Sequence, residues 1–337
     1  MRSASEVSRT IDQQSIDEVL ELPSPWQLHY GDQLAGARIA YRIEGAAGAP
    51  LIAALGGISA TRFVCGDDGA GWWSALAGPG KGIDTRRYRV LGIDYLGGSG
   101  DSSAADGRQP FPPLSAYDQA SALAEIIRRR GLPPLHAIVG ASYGGMVALS
   151  FALLHPALVE RIVVLSAADK SRPLSTAWRS VQRQIVREAL ARGDGAAGLK
   201  LARALAMTTY RSPGEFAERF SGPPLRDAER FRFPIEQYLF ARGDDYVQKY
   251  RPQAFLALSE SIDLHAIDAS RVRTPATLIG ICEDQLVPLA DIREMAGRLG
   301  GECRLVQLSS IFGHDAFLKE GGMLQPIVER ALAEAKQ

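Results

Sequence analysis

The sequence predicts an α/β fold: a mostly parallel sheet with helices on both faces and an inserted helical cap. Three observations carry that prediction. Short apolar runs of strand length, each stopped by turn residues, alternate with segments whose apolar positions recur at helical spacing. Residues 170–272 then break the alternation with a largely helical pattern rich in Arg, Ala and aromatics. Beyond them the alternation resumes, so two parts of one sheet flank the insertion, as expected of a cap over the sheet's C-terminal edge.

Taken in order, residues 1–25 carry no strong pattern, close on Leu22-Pro23-Ser24-Pro25 and read as a mobile leader. Residues 37–43 form an early strand. Residues 49–55 are a short apolar run stopped by Gly56-Gly57, and 88–94 repeat the form before Gly97-Gly98-Ser99-Gly100. A helix over 115–130, a buried strand over 135–139, a helix over 145–154 ended by His155-Pro156, and a strand over 161–167 follow. After the insertion come a strand at 275–281, a helix at 289–299, a strand at 303–308 and a mostly helical tail from His314. The expected organisation is a leader (1–34), a core (35–169 and 273–337) and a cap (170–272).

Composition narrows the function classes. The 337 residues are 46% apolar and 23% charged, with 38 basic residues against 38 acidic ones, which suits one large globular domain or two modest ones. Such neutrality leaves no clustered basic surplus for a nucleic acid or an anionic membrane. The basic triplet Arg128-Arg129-Arg130 falls at a helix C-terminus, where cations complement the dipole. Cys65, Cys282 and Cys303 form no CxxC pair and are odd in number, so neither a disulfide framework nor a thiolate zinc site is expected, and no metal is. No apolar run approaches the ~20 residues of a membrane span. A cytoplasmic location is the expectation.

Gly140-Ala141-Ser142-Tyr143-Gly144 matches G-x-S-x-G and lies between a predicted strand and a predicted helix. There the serine occupies a sharp, strained turn whose neighbours need glycine, and it faces a helix N-terminus that favours negative charge. A plain strand-to-helix turn with a serine cap is the competing interpretation. Serine needs a base to take its proton and an acid to orient that base. Of the five histidines, His29, His136, His155 and His265 fall at positions suited to surface or packing roles. His314 alone follows the last strand, on the edge where Ser142 emerges. For the acid, Glu283 and Asp284 both follow the strand at 275–281, with Asp284 preferred and Glu283 the fallback. Oxyanion donors are expected from the Tyr143 amide and from Gly56-Gly57.

With these residues in place, the chain resembles the α/β-hydrolase superfamily and, within it, the homoserine O-acetyltransferase family. The resemblance runs from about residue 35 to the end. It rests on Gly71-Trp72-Trp73, Gly78-Pro79-Gly80-Lys81-Gly82-Ile83-Asp84-Thr85, Gly144-Gly145-Met146, Thr209-Tyr210-Arg211-Ser212 and Gly313-His314-Asp315-Ala316-Phe317-Leu318. The glycine-rich run at 78–82 lacks P-loop spacing and contains Pro79, which has no N–H to offer a phosphate.

The resemblance implies acyl transfer from acyl-CoA to the side-chain hydroxyl of an amino acid by a ping-pong route through Ser142. It implies Asp284 as the acid, and an acceptor site at Arg211 and Asp315 with Tyr210 beside them. A zwitterion needs such a fixed cation and fixed anion. The co-substrate would be acetyl-CoA or succinyl-CoA and the acceptor L-homoserine or L-serine, with no tightly bound cofactor and a homodimeric assembly. An extra succinyl carboxylate would be met by a pocket Arg or by Tyr143. The chain departs from the family pattern at Tyr143, where Met is usual, at Ala53-Ala54-Leu55-Gly56-Gly57 and at Asp94-Tyr95-Leu96-Gly97-Gly98-Ser99-Gly100. All three fall near the expected acyl pocket. An esterase or amidase using the same residues with water is the competing class, and a non-catalytic binding protein a third.

Overall fold

The computed structural model describes residues 13–66, 70–107 and 110–334. Eight strands build the main sheet: β1 (Gln13–Glu21), β2 (Arg38–Ala46), β3 (Leu51–Leu55), β4 (Arg89–Ile93), β5 (Ala137–Ala141), β6 (Ile162–Leu165), β7 (Ala276–Ile281) and β8 (Cys303–Leu308). Their order across the sheet is β1-β2-β4-β3-β5-β6-β7-β8. From β4 to β8 all neighbours are parallel, and β1 and β2 are antiparallel additions at one edge. Strands β3, β5, β6 and β7 are buried along their whole length, which is why they read as unbroken apolar runs.

From residue 13 onward the leader expectation is corrected by β1, while residues 1–12 lie outside the described residues. Gln13–Glu21 pairs residue for residue with Ala46 back to Arg38. Its Asp17, Glu18 and Val19 are exposed, so the half-buried alternation that marks a strand is nearly erased. Charged side chains on such an edge also discourage pairing with another chain.

Helices α1 (Ala116–Arg129) and α2 (Tyr143–Leu154) pack against one another. Ser115 and Asp118 form a capping box that starts α1 where the spacing predicts. Between β6 and β7 the chain leaves the sheet and builds α3 (Pro173–Ala191), α4 (Gly195–Tyr210), α5 (Pro213–Arg219), α6 (Pro234–Val247) and α7 (Pro252–Asp263). A short exposed hairpin, Leu225–Asp227 with Arg230–Arg232, interrupts these helices. Helices α8 (Leu289–Ala296), α9 (Ala316–Lys319) and α10 (Gly321–Ala333) complete the chain. No helix among the described residues is long and apolar enough to cross a membrane.

Candidate active site

Strands β3, β5, β7 and β8 all end on one edge of the sheet, and the loops leaving them converge. Ser142 is the sharp corner between β5 and α2, with φ 54° and ψ −118°, a left-handed φ that a non-glycine residue adopts only under strain. The flanking glycines are demanded by close backbone approach. A Cβ on Gly140 would lie 2.3 Å from the Gly144 carbonyl oxygen, and one on Gly144 would lie 2.2 Å from that of Leu55. Ser142 thus stands at the start of α2, whose dipole favours developing negative charge.

Nε2 of His314 lies 2.8 Å from Ser142 Oγ, and its Nδ1 lies 2.7 Å from Asp284 Oδ2. The other oxygen of Asp284 accepts the backbone N–H groups of Leu286 and Val287, both at 2.9 Å. One carboxylate oxygen is therefore fixed by the loop and the other is turned to the imidazole. With Nδ1–H donating to Asp284, the Nε2 lone pair faces the serine hydroxyl hydrogen. The fallback acid is excluded from this series: Glu283 accepts the Ser309 hydroxyl and the Ser310 amide, and so ties the β7 and β8 loops together. Burial opposes a charge on His314, yet Asp284 and then Asp315 outweigh it and raise its pKa above the ordinary histidine value.

Ser142 and His314 open into a cavity of about 240 Å³ between core and cap. The core lines it with Gly57, Trp72, Met146 and Phe317, and the cap with Trp178 and Arg179 from α3, Arg203 and Tyr210 from α4, and Phe255 from α7. Asp315 lines it too, and the Tyr210 ring lies 5.8 Å from that of His314.

The expected oxyanion residues divide. The Tyr143 amide opens α2 beside Ser142, and Gly57 faces open cavity space. Gly56 instead has a packing role. Its carbonyl accepts from the Gly144 amide and the Tyr95 hydroxyl, both at 2.8 Å, and a Cβ there would strike the Trp72 ring at 2.6 Å.

Two expectations are corrected. The Tyr143 side chain is turned away from the cavity, 1% exposed, with its hydroxyl 2.6 Å from Ser261 Oγ and its ring edge-on to Tyr95. Sealed in this way it has no route to a succinyl carboxylate. Arg211 is likewise occupied: its guanidinium pairs with Glu215 at 3.1 Å and with Asp315 at 3.1 Å, and it sits behind Asp315 rather than on the cavity wall. Of the acceptor pair expected from the family pattern, Asp315 faces the cavity, and Arg211 meets it from behind.

Sequence reasoning missed the cavity cations Arg179 and Arg203. Arg179 is held by Asp263 at 2.6 Å, a carboxylate shared with Arg183. Arg203 could have been found, because it precedes Tyr210 by seven residues on α4 and two helical turns bring both to one face. Trp72 stands in the cavity wall, which gives the Gly71-Trp72-Trp73 signature a physical reason.

A family model described as the alpha/beta hydrolase fold matches residues 65–320. A homoserine O-succinyltransferase of Xanthomonas campestris pv. campestris is 40% identical over 298 residues, covering 88% of this chain and 79% of that protein. A serine O-succinyltransferase of Litchfieldella anticariensis is 32% identical over 363 residues, covering 94% and 98%. Among solved structures, a homoserine O-acetyltransferase from Bacillus anthracis superposes with a TM-score of 0.85 at 20% identity, covering 96% of this chain and 99% of that one. The fold, the elbow and these relatives agree: the chain belongs to the homoserine O-acetyltransferase family of acyltransferases within the α/β-hydrolase superfamily.

Proposed function

We propose that the protein transfers a succinyl group from succinyl-CoA to the side-chain hydroxyl of L-homoserine, through an acyl-Ser142 intermediate. The observation that carries this reading is the Ser142–His314–Asp284 series opening into a cavity between core and cap that also contains Asp315 and two arginines. The 40% identical relative named a homoserine O-succinyltransferase supports the choice of donor and acceptor. The positive charge in the cavity wall suits substrates that carry carboxylates.

The geometry supports the following chemistry. His314 Nε2 takes the Ser142 proton as Oγ attacks the thioester carbonyl. The oxyanion forms against the Tyr143 and Gly57 amides and the α2 N-terminus. Asp284 holds the imidazolium meanwhile. His314 then returns the proton to the departing thiolate, leaving an ester on Ser142. In the second half the acceptor hydroxyl gives its proton to Nε2, attacks that ester, and Ser142 Oγ recovers the proton as the product leaves. Net transfer over hydrolysis requires the acceptor to occupy the position that water would otherwise take, and Asp315 offers its ammonium group a fixed anion. Arg211 holds Asp315 in that place.

Serine is a second acceptor to be weighed, since a serine O-succinyltransferase is 32% identical over nearly the whole chain. One methylene in a pocket discriminates by only ~1–3 kcal/mol. A two-by-two assay of succinyl-CoA or acetyl-CoA with homoserine or serine, following free thiol, decides among these. Fastest release is expected with succinyl-CoA and homoserine. Equal thiol release with no acceptor present would instead identify a hydrolase.

A further inference from the structure

The Gly56-Gly57 peptide carries one of the two oxyanion donors, and its own residues do little to set its orientation. Glycine on both sides leaves the peptide plane free to rotate. A planar trans peptide points its C=O and the following N–H in opposite directions, so whatever holds the Gly56 carbonyl also aims the Gly57 amide. Two donors hold it, the Gly144 amide and the Tyr95 hydroxyl, both at 2.8 Å. Together they use both lone pairs of that oxygen. The Gly57 amide has no hydrogen-bond partner among the described residues, and Gly57 lines the cavity with Ser142.

Tyr95 is itself held from several sides. It is buried in the loop after β4, and the backbone of Leu96 next to it is clasped by Gln119 of α1, whose side-chain amide accepts the Leu96 N–H and donates to the Leu96 carbonyl, each at 2.9 Å. The Tyr95 ring meets that of Tyr143 edge-on with centres 5.0 Å apart, and Tyr143 is anchored on Ser261 of α7. Burial raises the Tyr95 pKa well above the ordinary tyrosine value, so the hydroxyl stays protonated and donates. Tyr95 and Tyr143 both fall where the sequence departs from the family pattern, and here they form one unit against the Gly56-Gly57 turn.

We infer that Tyr95 is a positioning residue for both acyl-transfer steps: its hydroxyl locks the Gly56-Gly57 peptide with the Gly57 N–H turned to the oxyanion, and Tyr143 braces the ring that carries it. Without that hydroxyl the carbonyl keeps a single donor, and rotation of the peptide brings its oxygen, in place of the N–H, toward the developing negative charge. The inference rests on the acyl-Ser142 reading above. The lock acts on the transition state and on neither bound substrate, so its effect belongs in kcat.

The test compares full-length Tyr95→Phe with Tyr117→Phe, which loses a hydroxyl bond of the same kind, to the Ala266 carbonyl at 2.8 Å, outside the cavity wall. Tyr95→Phe should lower kcat for thiol release from succinyl-CoA with homoserine roughly 10- to 50-fold, short of the ~10²–10³ for outright loss of an oxyanion donor, and leave both KM values within about twofold. Affinity for a trifluoromethyl ketone should weaken by a similar factor, because its carbonyl carbon takes Ser142 Oγ, its oxygen becomes the oxyanion and the serine proton passes to His314. Tyr117→Phe should keep the wild-type kcat and ketone affinity. An unchanged kcat in Tyr95→Phe overturns the inference, as does a kcat loss without weaker ketone binding, or an equal loss in Tyr117→Phe. Ser142→Ala enzyme that still released thiol at the wild-type rate would overturn the functional reading instead, an outcome separate from these.

Discussion

The indole N–H of Trp73 donates to the Phe317 carbonyl at 2.9 Å, joining residues 244 positions apart. Trp73 is completely buried, and Phe317 follows His314 by three residues. The first loop region of the core thus buttresses the segment that presents the imidazole, while neighbouring Trp72 faces the cavity. Trp73→Phe keeps most of the buried ring area but leaves that carbonyl without its donor. A loss of about 1–3 kcal/mol in unfolding free energy is expected, together with a lower kcat and a nearly unchanged KM for either substrate. Denaturant unfolding and steady-state kinetics measure both.

Arg211 and Arg203 should behave oppositely when truncated. Arg211→Met strands Asp315 and weakens the neutralisation of Glu215 in a buried setting, at a cost on the order of 3 kcal/mol. Arg203→Met removes a cation that forms no ion pair among the described residues and should shift the unfolding midpoint less. Denaturant midpoints of the two variants, measured side by side, check the contrast.

The pH dependence of acylation follows from His314. Burial disfavours its charge, but Asp284 and Asp315 raise its pKa above the ordinary value, so the neutral base is lost on acidification earlier than for an unperturbed histidine. Asp315→Asn removes one of the charges that favour the imidazolium. Its acidic limb should move to lower pH. The quantity to follow is the thiol burst from acyl-CoA without acceptor, which separates this effect from impaired acceptor binding.

Asp84 gives a stability prediction. It accepts the Gly80 amide at 2.9 Å, the Arg86 amide at 3.0 Å and Arg86 Nε at 2.9 Å. The bond to the Arg86 side chain, aided by these amides, outweighs burial and lowers its pKa to about 2. A carboxyl whose pKa falls on folding stabilises at pH values above its unfolded pKa, ~3.9, and loses that contribution as the pH drops through the folded value. Asp84→Asn should therefore be less stable at neutral pH, by less than the full shift implies because Arg86 is exposed. The gap should narrow below about pH 4 and close near pH 2 in denaturant titrations.

Much of the site is legible in the sequence because its demands are local. Gly140 and Gly144 are required by backbone contacts within a single turn, so the elbow can be recognised without a structure. His314 is found by its position after the last strand. The choice between Glu283 and Asp284 is not local, since it depends on whether Ser309 and Ser310 or His314 stands opposite each carboxylate. Arg211 misleads for a similar reason: its spacing from Tyr210 is visible, but its neutralisation by Glu215 and Asp315 is a product of tertiary packing. The Tyr143 side chain is buried against Ser261, 118 residues further along the chain, so the identity of the elbow residue alone says nothing of where the ring points. Strand β1 escapes notice because an edge strand with exposed charges lacks the apolar alternation that reveals the inner ones.

The most direct test of the central claim is intact-protein mass spectrometry after rapid mixing with succinyl-CoA in the absence of acceptor. A single succinyl adduct on Ser142 is expected, absent in Ser142→Ala, stable on the timescale of turnover, and discharged when homoserine is added with formation of the O-succinyl ester. No adduct, or one lost as fast in buffer as with homoserine, would contradict the transfer mechanism.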